Sequence, residues 1–486
     1  MKQTIKCLFA ALAAMLMSVA AFAQVTTSAL GGRVVDANGE PVVGVAVIAT
    51  HTPSGTVYGV TTNEAGRYTI NGMRSGGPYS VEFTCLGYQT VTYTDLTLQL
   101  AETSSLNATL NEDSEMLSEA MVIGAAASKF SAEKTGAATN ISSAQITSLP
   151  TVNRSITDVT RLSPYGGNGM SFAGSDGRTA NFTVDGANFN NNFGLSENLP
   201  GGGNPISIDA IEELQVVISP YDVRQTNFIG GGVNAITKSG TNTFKGTAYV
   251  YHRNENMRGN QVAGVEIAGA RDRDRNTTYG FTLGGPIIKN KLFFFVNAEY
   301  SQTPSVAVRW RASENGVGNA DKYLSYTTVA DMERVQKHVM DKYGYDTGSF
   351  TDFPADQNNL KLLARLDWNI NDNHRLALRY NYTNNTGWNA PNSSSMDGGT
   401  RSAYGRTSLY SMAFANSMYS MNNLVHTVSL DLNSRIGDNL SNQFLATFSK
   451  LDDVRGTNSS EFPFIDIQDG TNTNTQYMAL GYELFT

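Results

Sequence analysis

Side chains able to do chemistry are sparse in this 486-residue chain and are nowhere gathered. The five histidines, His51, His252, His338, His374 and His426, stand far apart, and no Ser/His/Asp order or phosphate-cradling glycine loop accompanies them. His51 by itself builds no zinc site. Asp466 and Asp469, with an Asn/Thr run behind them, lack the ligand spacing of a calcium loop. RDRDRN at 271–276 reads as a wet, mixed-charge loop tip, and His338 as a solvated side chain. No catalysis, metal or cofactor is expected. The reactive feature is main-chain. Leu117, Ser118, Glu119, Ala120, Met121, Val122 and Ile123 form a short strand-like run in a polar and small-residue linker, with no partner nearby in sequence. Its unpaired N–H and C=O groups offer an edge that another protein's sheet can extend.

What positions that segment begins with a leader. Lys2 and Lys6 precede an apolar run from Leu8 to Phe22, and Ala21-Phe22-Ala23 supplies a small-x-small cleavage signature before Gln24. Residues 1–23 therefore read as a secretory signal peptide. Cys7 leaves with it, and Cys85 stays as a lone small hydrophobe expected in a buried strand. Taking Lys2 and Lys6 from 35 basic residues leaves 33 against 43 acidic ones, so the formal charge moves from −8 to −10. An acidic surface argues against nucleic acid as partner. Gly, Asn, Ser, Thr and Tyr are abundant, which suits turns and strands. No second stretch is apolar enough for a membrane helix. If the chain enters a membrane, strands must put it there.

Residues 24–110 alternate short apolar runs with Gly, Asn and Pro turns. Asn38-Gly39 is a tight hairpin signal between two such runs. The pattern predicts a small antiparallel β-sandwich. Its motifs GGRVVDANGEPVVGVAV, TTNEAGRYTI and PYSVEFTCLGY resemble the carboxypeptidase regulatory-like (transthyretin-like) domain, which is an accessory and not a catalyst. Residues 111–127 are the linker that carries Leu117–Ile123.

Residues 128–242 hold a helical pattern with Ile156, Val159 and Leu162 on one face, then ANFTVDG, then a strand, a turn and GGGVNAITK. These pieces resemble the plug of TonB-dependent outer-membrane transporters. The residues that carry the likeness are Ile146, Leu149, Pro150, Arg154, Ser155, Asp158 and Val159, then Val184, Asp185 and Gly186. They continue with Ile211, Glu212, Val216, Gly231, Gly232, Val233, Asn234, Thr237 and Lys238. Glu213 departs from the pattern, since many members carry a basic residue there. The glycines ahead of Val233 allow close backbone approach.

From 243 to 486 the alternation continues in about seven segments near ten residues long. Leu362, Ala364, Leu366 and Trp368, for example, oppose Lys361, Arg365 and Asp367. Short turns at 285–290, 371–373 and 437–438 alternate with long polar loops near 257–275, 302–359 and 386–422, the second with a helix over 327–344. That asymmetry is the pattern of an outer-membrane barrel. Seven strands cannot close a barrel around a plug, and large plugged barrels use about 22. These residues are therefore expected to be the N-terminal part of a longer protein. The fold class is mainly β: a sandwich, an α+β plug, then the first strands of a transmembrane barrel.

The resemblance is to the Oar-like subgroup of these transporters in Gram-negative bacteria. It implies a place in the outer membrane, with the sandwich in the periplasm. It also implies that Leu117–Ile123 is an energy-coupling box, paired edge to edge with the inner-membrane protein TonB and its energising complex. Further implied partners are outer-membrane lipid and an unidentified extracellular substrate. Because plug loops face outward in the family, Tyr165, Asn168, Asn188, Asn190, Asn191 and Asn192 are the candidate substrate contacts. The rival expectations are a surface adhesin or structural barrel that transports nothing, and an inactive truncated product.

Overall fold

The computed structural model describes residues 25–112, 121–124, 137–151, 154–190, 199, 203–219, 225, 229–257, 259–266, 275–304, 307–391, 405–437, 440–471 and 475–482. The leader and Leu117–Ala120 lie outside these residues, as do Asn191 and Asn192.

The N-terminal unit consists of β1 (Ser28–Asp36), β2 (Ala46–His51), β3 (Thr56–Thr61), β4 (Arg67–Met73), β5 (Gly76–Thr84), β6 (Val91–Leu98), β7 (Thr103–Ser105) and β8 (Ala108–Leu110). One sheet pairs β4 with β1, and β1 in turn with β7 and β8. The other runs β3-β2-β5-β6 and ends on β9 (Met121–Gly124). Alternate residues such as Val47, Val81, Phe83 and Tyr68 point between the sheets and form the core. Tyr68 and Phe83 meet edge-on at 5.7 Å, a preferred aromatic geometry. The Asn38–Gly39 turn forms, with Gly39 at φ +87°. The runs it joins do not pair with each other, however, because β1 and β2 belong to opposite sheets. The pairings of β1 with β7 and β8 and of β6 with β9 are parallel, so the sandwich is not wholly antiparallel. Cys85 follows β5 and is half-buried rather than held within a strand.

The plug sheet has the order β10-β13-β14-β11-β12, with β10 (Ala137–Ser142), β11 (Asn181–Val184), β12 (Ala187–Asn188), β13 (Ile211–Ser219) and β14 (Gly232–Thr237). Two short helices precede β11: α1 (Ser143–Ser148) and α2 (Ile156–Thr160). Both open on capping boxes, Ser142 with Gln145 and Ser155 with Asp158, which satisfy the first free N–H groups. Ile156 and Val159 are buried, but α2 stops at Thr160 and Leu162 is exposed, so the apolar face is one turn shorter than the sequence pattern predicts. Every residue of β14 is buried.

The wall is one seven-stranded antiparallel sheet in chain order: β15 (Lys245–Arg253), β18 (Asn276–Ile288), β19 (Leu292–Gln302), β22 (Asn358–Asn369), β23 (His374–Asn389), β25 (Tyr419–Ile436) and β26 (Leu440–Gly456). The hairpin β16 (Gln261–Val262) and β17 (Val265–Glu266) sits in its first loop. Its faces are inverted relative to a water-soluble protein. Phe281, Leu366, Trp368, Leu378 and Phe448 are exposed, while Asn297, Glu299, Lys361, Arg365, Asp367, Arg379 and Asp431 are buried. Apolar residues outside and polar ones inside are what a lipid-facing barrel wall requires. Among the described residues no helix is long and apolar enough to cross a membrane.

At the long-loop end, segments expected as separate polar loops join in one module. It contains β20 (Arg311–Ser313), β21 (Leu324–Thr328), α3 (Val329–Tyr343), β24 (Met412–Ala413), β27 (Ile465–Gln468) and β28 (Gln476–Leu480). Met332, Met412, Phe414, Met478 and Leu480 form its core. Thr328 caps α3 at its start, and Gly344, at φ +65°, ends it.

Candidate functional site

Three bodies meet at the short-turn end of the wall: sandwich, plug and wall. The plug turn after β11 carries Asp185, whose carboxylate accepts from the Thr237 N–H at 3.1 Å and the Thr237 hydroxyl at 2.7 Å. The wall surrounds it with Arg379 at 3.4 Å and Arg365 at 3.9 Å. Arg365 forks onto Asp367 through two bonds of 2.9 Å and donates to the Thr237 hydroxyl at 3.2 Å. Arg74 of the sandwich reaches Asp367 at 3.7 Å and donates to the Ser239 hydroxyl at 3.0 Å. Asp431, 3.7 Å from Arg379, also accepts from the Thr26 hydroxyl at 2.6 Å. Charges removed from water on this scale persist only when each is paired and hydrogen-bonded.

The sandwich docks on the plug through Glu213. Its carboxylate accepts the Leu100 N–H at 3.0 Å and the Ser75 hydroxyl. Burial pushes the Glu213 carboxyl up to about 7, against the opposing pull of those two donors. The residue that departs from the family pattern is therefore the one the sandwich grips. Asn234 adds a bond to the Val25 carbonyl at 2.6 Å, and Gln215 one to the Leu100 carbonyl at 2.9 Å. At the rim, Arg375 and Arg435 donate to the carbonyls of Val57 and Gly59 on β3. Asn242 donates its N–H to the Pro53 carbonyl at 2.8 Å.

A second charged seam joins plug and wall further along. Glu299 takes Lys361 at 2.8 Å, together with the hydroxyls of Ser207 and Tyr249, each at 2.8 Å. Arg154, just before α2 with φ +50°, pairs with Asp209 and lies 4.1 Å from the Tyr251 ring centre. Sequence reading placed Arg154 and Asp185 in motifs but foresaw neither their wall partners nor the network. The available signal was the run of charges on the inward face, Lys361, Arg365, Asp367 and Arg379, which a solvent-filled lumen would also explain.

The predicted coupling segment is only partly within view. Met121–Gly124 forms β9, and it is not an isolated strand. It pairs in parallel with β6, Met121 opposite Val91, Thr92 opposite Val122 and Tyr93 opposite Ile123. One edge of β9 is taken by β6, while its other edge, at the end of the sheet, has no partner among the described residues. Sequence proximity could not reveal this, since the partner lies some thirty residues upstream.

The predicted substrate contacts divide. Tyr165 and Asn168 lie in an exposed turn. Asn190 is occupied structurally: its side chain bonds Asn181 at 2.7 Å and accepts the Phe182 N–H at 2.6 Å. The Asn188 side chain accepts the Asn190 N–H at 2.7 Å. Both loops border the Asn181/Gly232 end of the plug sheet, the end away from Glu213 and Asp185, because β11 and β14 run in parallel. Gly231 lies there with its α-carbon against the Phe172 ring, where an added Cβ would sit 2.9 Å from the ring. The acidic pair of the C-terminal loop is also occupied: Arg406 forks onto Asp466 at 2.9 and 2.8 Å, and Asp469 accepts the N–H groups of Thr471 and Thr475 at 3.0 and 3.2 Å.

Comparison with known proteins agrees with this architecture. The carboxypeptidase regulatory-like domain family matches residues 29–111, and the outer membrane beta barrel domain family matches residues 236–310. The TonB-dependent transporter Oar of Myxococcus xanthus is 27% identical over 395 residues, covering 76% of this chain and 34% of that protein. The chain thus spans about a third of that relative's length. Among solved structures, the outer membrane transporter YddB of Escherichia coli aligns with a TM-score of 0.46 and 13% identity, over 71% of this chain and 43% of that one. The siderophore receptor PirA of Pseudomonas aeruginosa aligns at 0.40 and 13%, over 66% and 42%. In sequence this chain resembles the TonB-dependent transporter Oar, and it is an outer-membrane protein.

Proposed function

We propose that the protein takes up a large or scarce substrate across the outer membrane, driven through TonB and its inner-membrane energising complex. Substrate lands on the long-loop end, where Tyr165 and Asn168 are exposed, with Asn188, Asn190, Asn191 and Asn192 as lower-ranked contacts. TonB takes Leu117–Ile123 from the periplasm, where the sandwich and the short turns lie. The plug then shifts within the wall. No chemical step is involved.

The observation that carries this reading is the character of the joint between plug and wall. It sets the ion pairs of Asp185 with Arg365 and Arg379 and the Ser207–Glu299 hydrogen bond beside apolar contacts of the plug core with Phe295, Leu363 and Val425 of the wall. The polar contacts hold a separately folded body in register and can exchange their partners for water when pulled. A static adhesin barrel gains nothing from it.

The test places a photo-crosslinker at Val122 in living cells and asks whether TonB is captured, with Leu117→Pro and Ala120→Pro, which remove edge N–H groups and keep the probe, as the comparison. Capture of TonB, lost in the proline variants at unchanged surface level, supports the transporter. An intact surface level with no capture at Val122 favours the adhesin.

A further inference from the structure

The segment that follows the leader is not a loose end. Val25, Thr26 and Ser28 are buried, Val25 with 2% of its surface exposed. Consecutive residues are held by different bodies. The Val25 carbonyl accepts from the Asn234 side chain of β14, in the plug, at 2.6 Å. The Thr26 hydroxyl donates to Asp431 of β25 at 2.6 Å and accepts from Gln443 of β26 at 2.8 Å, both in the wall. The Thr27 carbonyl accepts the Ala101 N–H at 3.1 Å, and the Ser28 hydroxyl donates to the Gln99 carbonyl at 2.7 Å, both in the sandwich. Asp431 is itself buried and stands 3.7 Å from Arg379, so Thr26 supplies a donor to the charged joint. A buried carboxylate that lacks a donor carries its desolvation cost uncompensated.

The sequence places the leader cut after Ala23, two residues ahead of Val25. Two residues of fully extended chain span at most about 7 Å. An uncut leader keeps its apolar run, Leu8 to Phe22, in the inner membrane. Asp431 and Gln443 belong to a wall in the outer membrane. That reach is far short of the gap between two membranes, so with the leader attached Val25 and Thr26 do not arrive at their partners.

We propose that Asn234, Asp431 and Gln443 form a seat for the chain's own cut end, and that its filling by Val25 and Thr26 locks the sandwich onto plug and wall. Leader removal is then a step in assembling the three-body joint as well as in export. This rests on the reading of residues 1–23 as the leader and holds whatever the barrel carries.

The test uses the full-length protein in cells, with Leu100→Cys introduced in a Cys85→Ser background. Leu100 is fully buried where the sandwich meets Glu213, so a maleimide reaches the introduced thiol only when the sandwich undocks. Thr26→Val keeps the shape of the side chain and removes the hydroxyl. It should label about tenfold faster than the parent, the lower end of what losing a hydrogen bond to a charged group implies. Thr26→Ser, which keeps the hydroxyl, should label at nearly the parental rate. Deleting Val25–Thr27, with Ala21–Gln24 retained so that the leader is still cut, should label faster still. Heat-modifiable migration checks that the wall of each variant is folded, and if the deletion fails that check the Thr26 pair decides. Ala23→Leu removes the small residue the cut requires, and its uncut chains should keep a reactive thiol. If Thr26→Val labels as slowly as Thr26→Ser, the seat holds nothing and the proposal fails. If uncut chains are protected like cut ones, docking does not wait for the leader and the proposal fails likewise. If N-terminal sequencing finds a first residue other than Gln24, the leader assignment falls and the seat with it, while capture of TonB at Val122 is untouched.

Discussion

Asp185 of the plug faces Arg379 of the wall at 3.4 Å, and both side chains are shut off from solvent. Removing the carboxylate leaves Arg379 and Arg365 short of a buried counter-charge. Asp185→Ala should therefore loosen the plug by about 3–5 kcal/mol, the usual cost of breaking a buried pair from one side. Asp185→Asn should cost less, because its amide oxygen can still accept from Thr237. The temperature at which the plug becomes protease-sensitive in outer-membrane vesicles reads the difference. Equal behaviour of the Ala and Asn variants would remove the Thr237 hydrogen bonds from the explanation and leave the charge.

Glu213 links docking of the sandwich to pH. Its carboxyl is held up to about 7 in the docked state by burial, against an ordinary value of 4.5. The docked state therefore binds the proton more tightly than the undocked one. Docking is strongest below about 4.5 and weakens as pH rises through about 7. Hydrogen exchange of the β5 and Leu100 amides should be slower at pH 6 than at pH 8, after correction for intrinsic rates. Glu213→Gln, neutral at both, should flatten the difference.

Gly240 carries the chain from the plug into the wall. A Cβ there would meet the Phe294 carbonyl at 2.4 Å and the Gly285 carbonyl at 2.7 Å, both backbone atoms that cannot swing aside. Gly240→Val should therefore sharply lower the yield of folded protein in the outer membrane, whereas Gly405→Ala, with open space around it and no positive φ, should not. Heat-modifiable migration of the membrane fraction reports the folded share.

Arg406 is the largest fully buried side chain of the loop module; it forks onto Asp466 and lies 4.4 Å from the Phe464 ring centre. Arg406→Ala should destabilise the module by about 1.5–3 kcal/mol, the range for charge-assisted hydrogen bonds. Faster proteolysis of the long loops, with the wall still inserted, is the expected result. Unchanged loop resistance would mean the apolar core around Met332 and Phe414 holds the module alone.

The wall was the most legible part of the chain. Period-two alternation reports one face per residue, and its turns are marked by Asn and Gly, so all seven strands follow from Phe244 to Phe448. The plug was legible through its motifs, because Asp185 and Gly231 serve backbone geometry that few other residues satisfy. What stayed hidden was long-range. The joint of Asp185 with Arg379, the grip of Ser75 and Leu100 on Glu213, and the berth of Met121–Gly124 on Val91–Thr94 bring together residues that no local period relates. The loop module was missed for the same reason: β24 and β28 are two-to-five-residue strands from loops some sixty residues apart.

The rim contact made by Arg375 and Arg435 asks different things of neighbouring positions on β3. Val57 and Gly59 contribute only their carbonyls, which every residue type carries, whereas the Tyr58 ring lies 4.0 Å from the Arg375 guanidinium and the Thr56 hydroxyl accepts from the Asn369 side chain at 3.0 Å. A saturation library should therefore be nearly silent for docking at the exposed Val57, while Tyr58 and the two arginine positions should tolerate little. The rim is thus inherited through codons on both sides of the joint, and a grafted sandwich would have to bring the tyrosine with it.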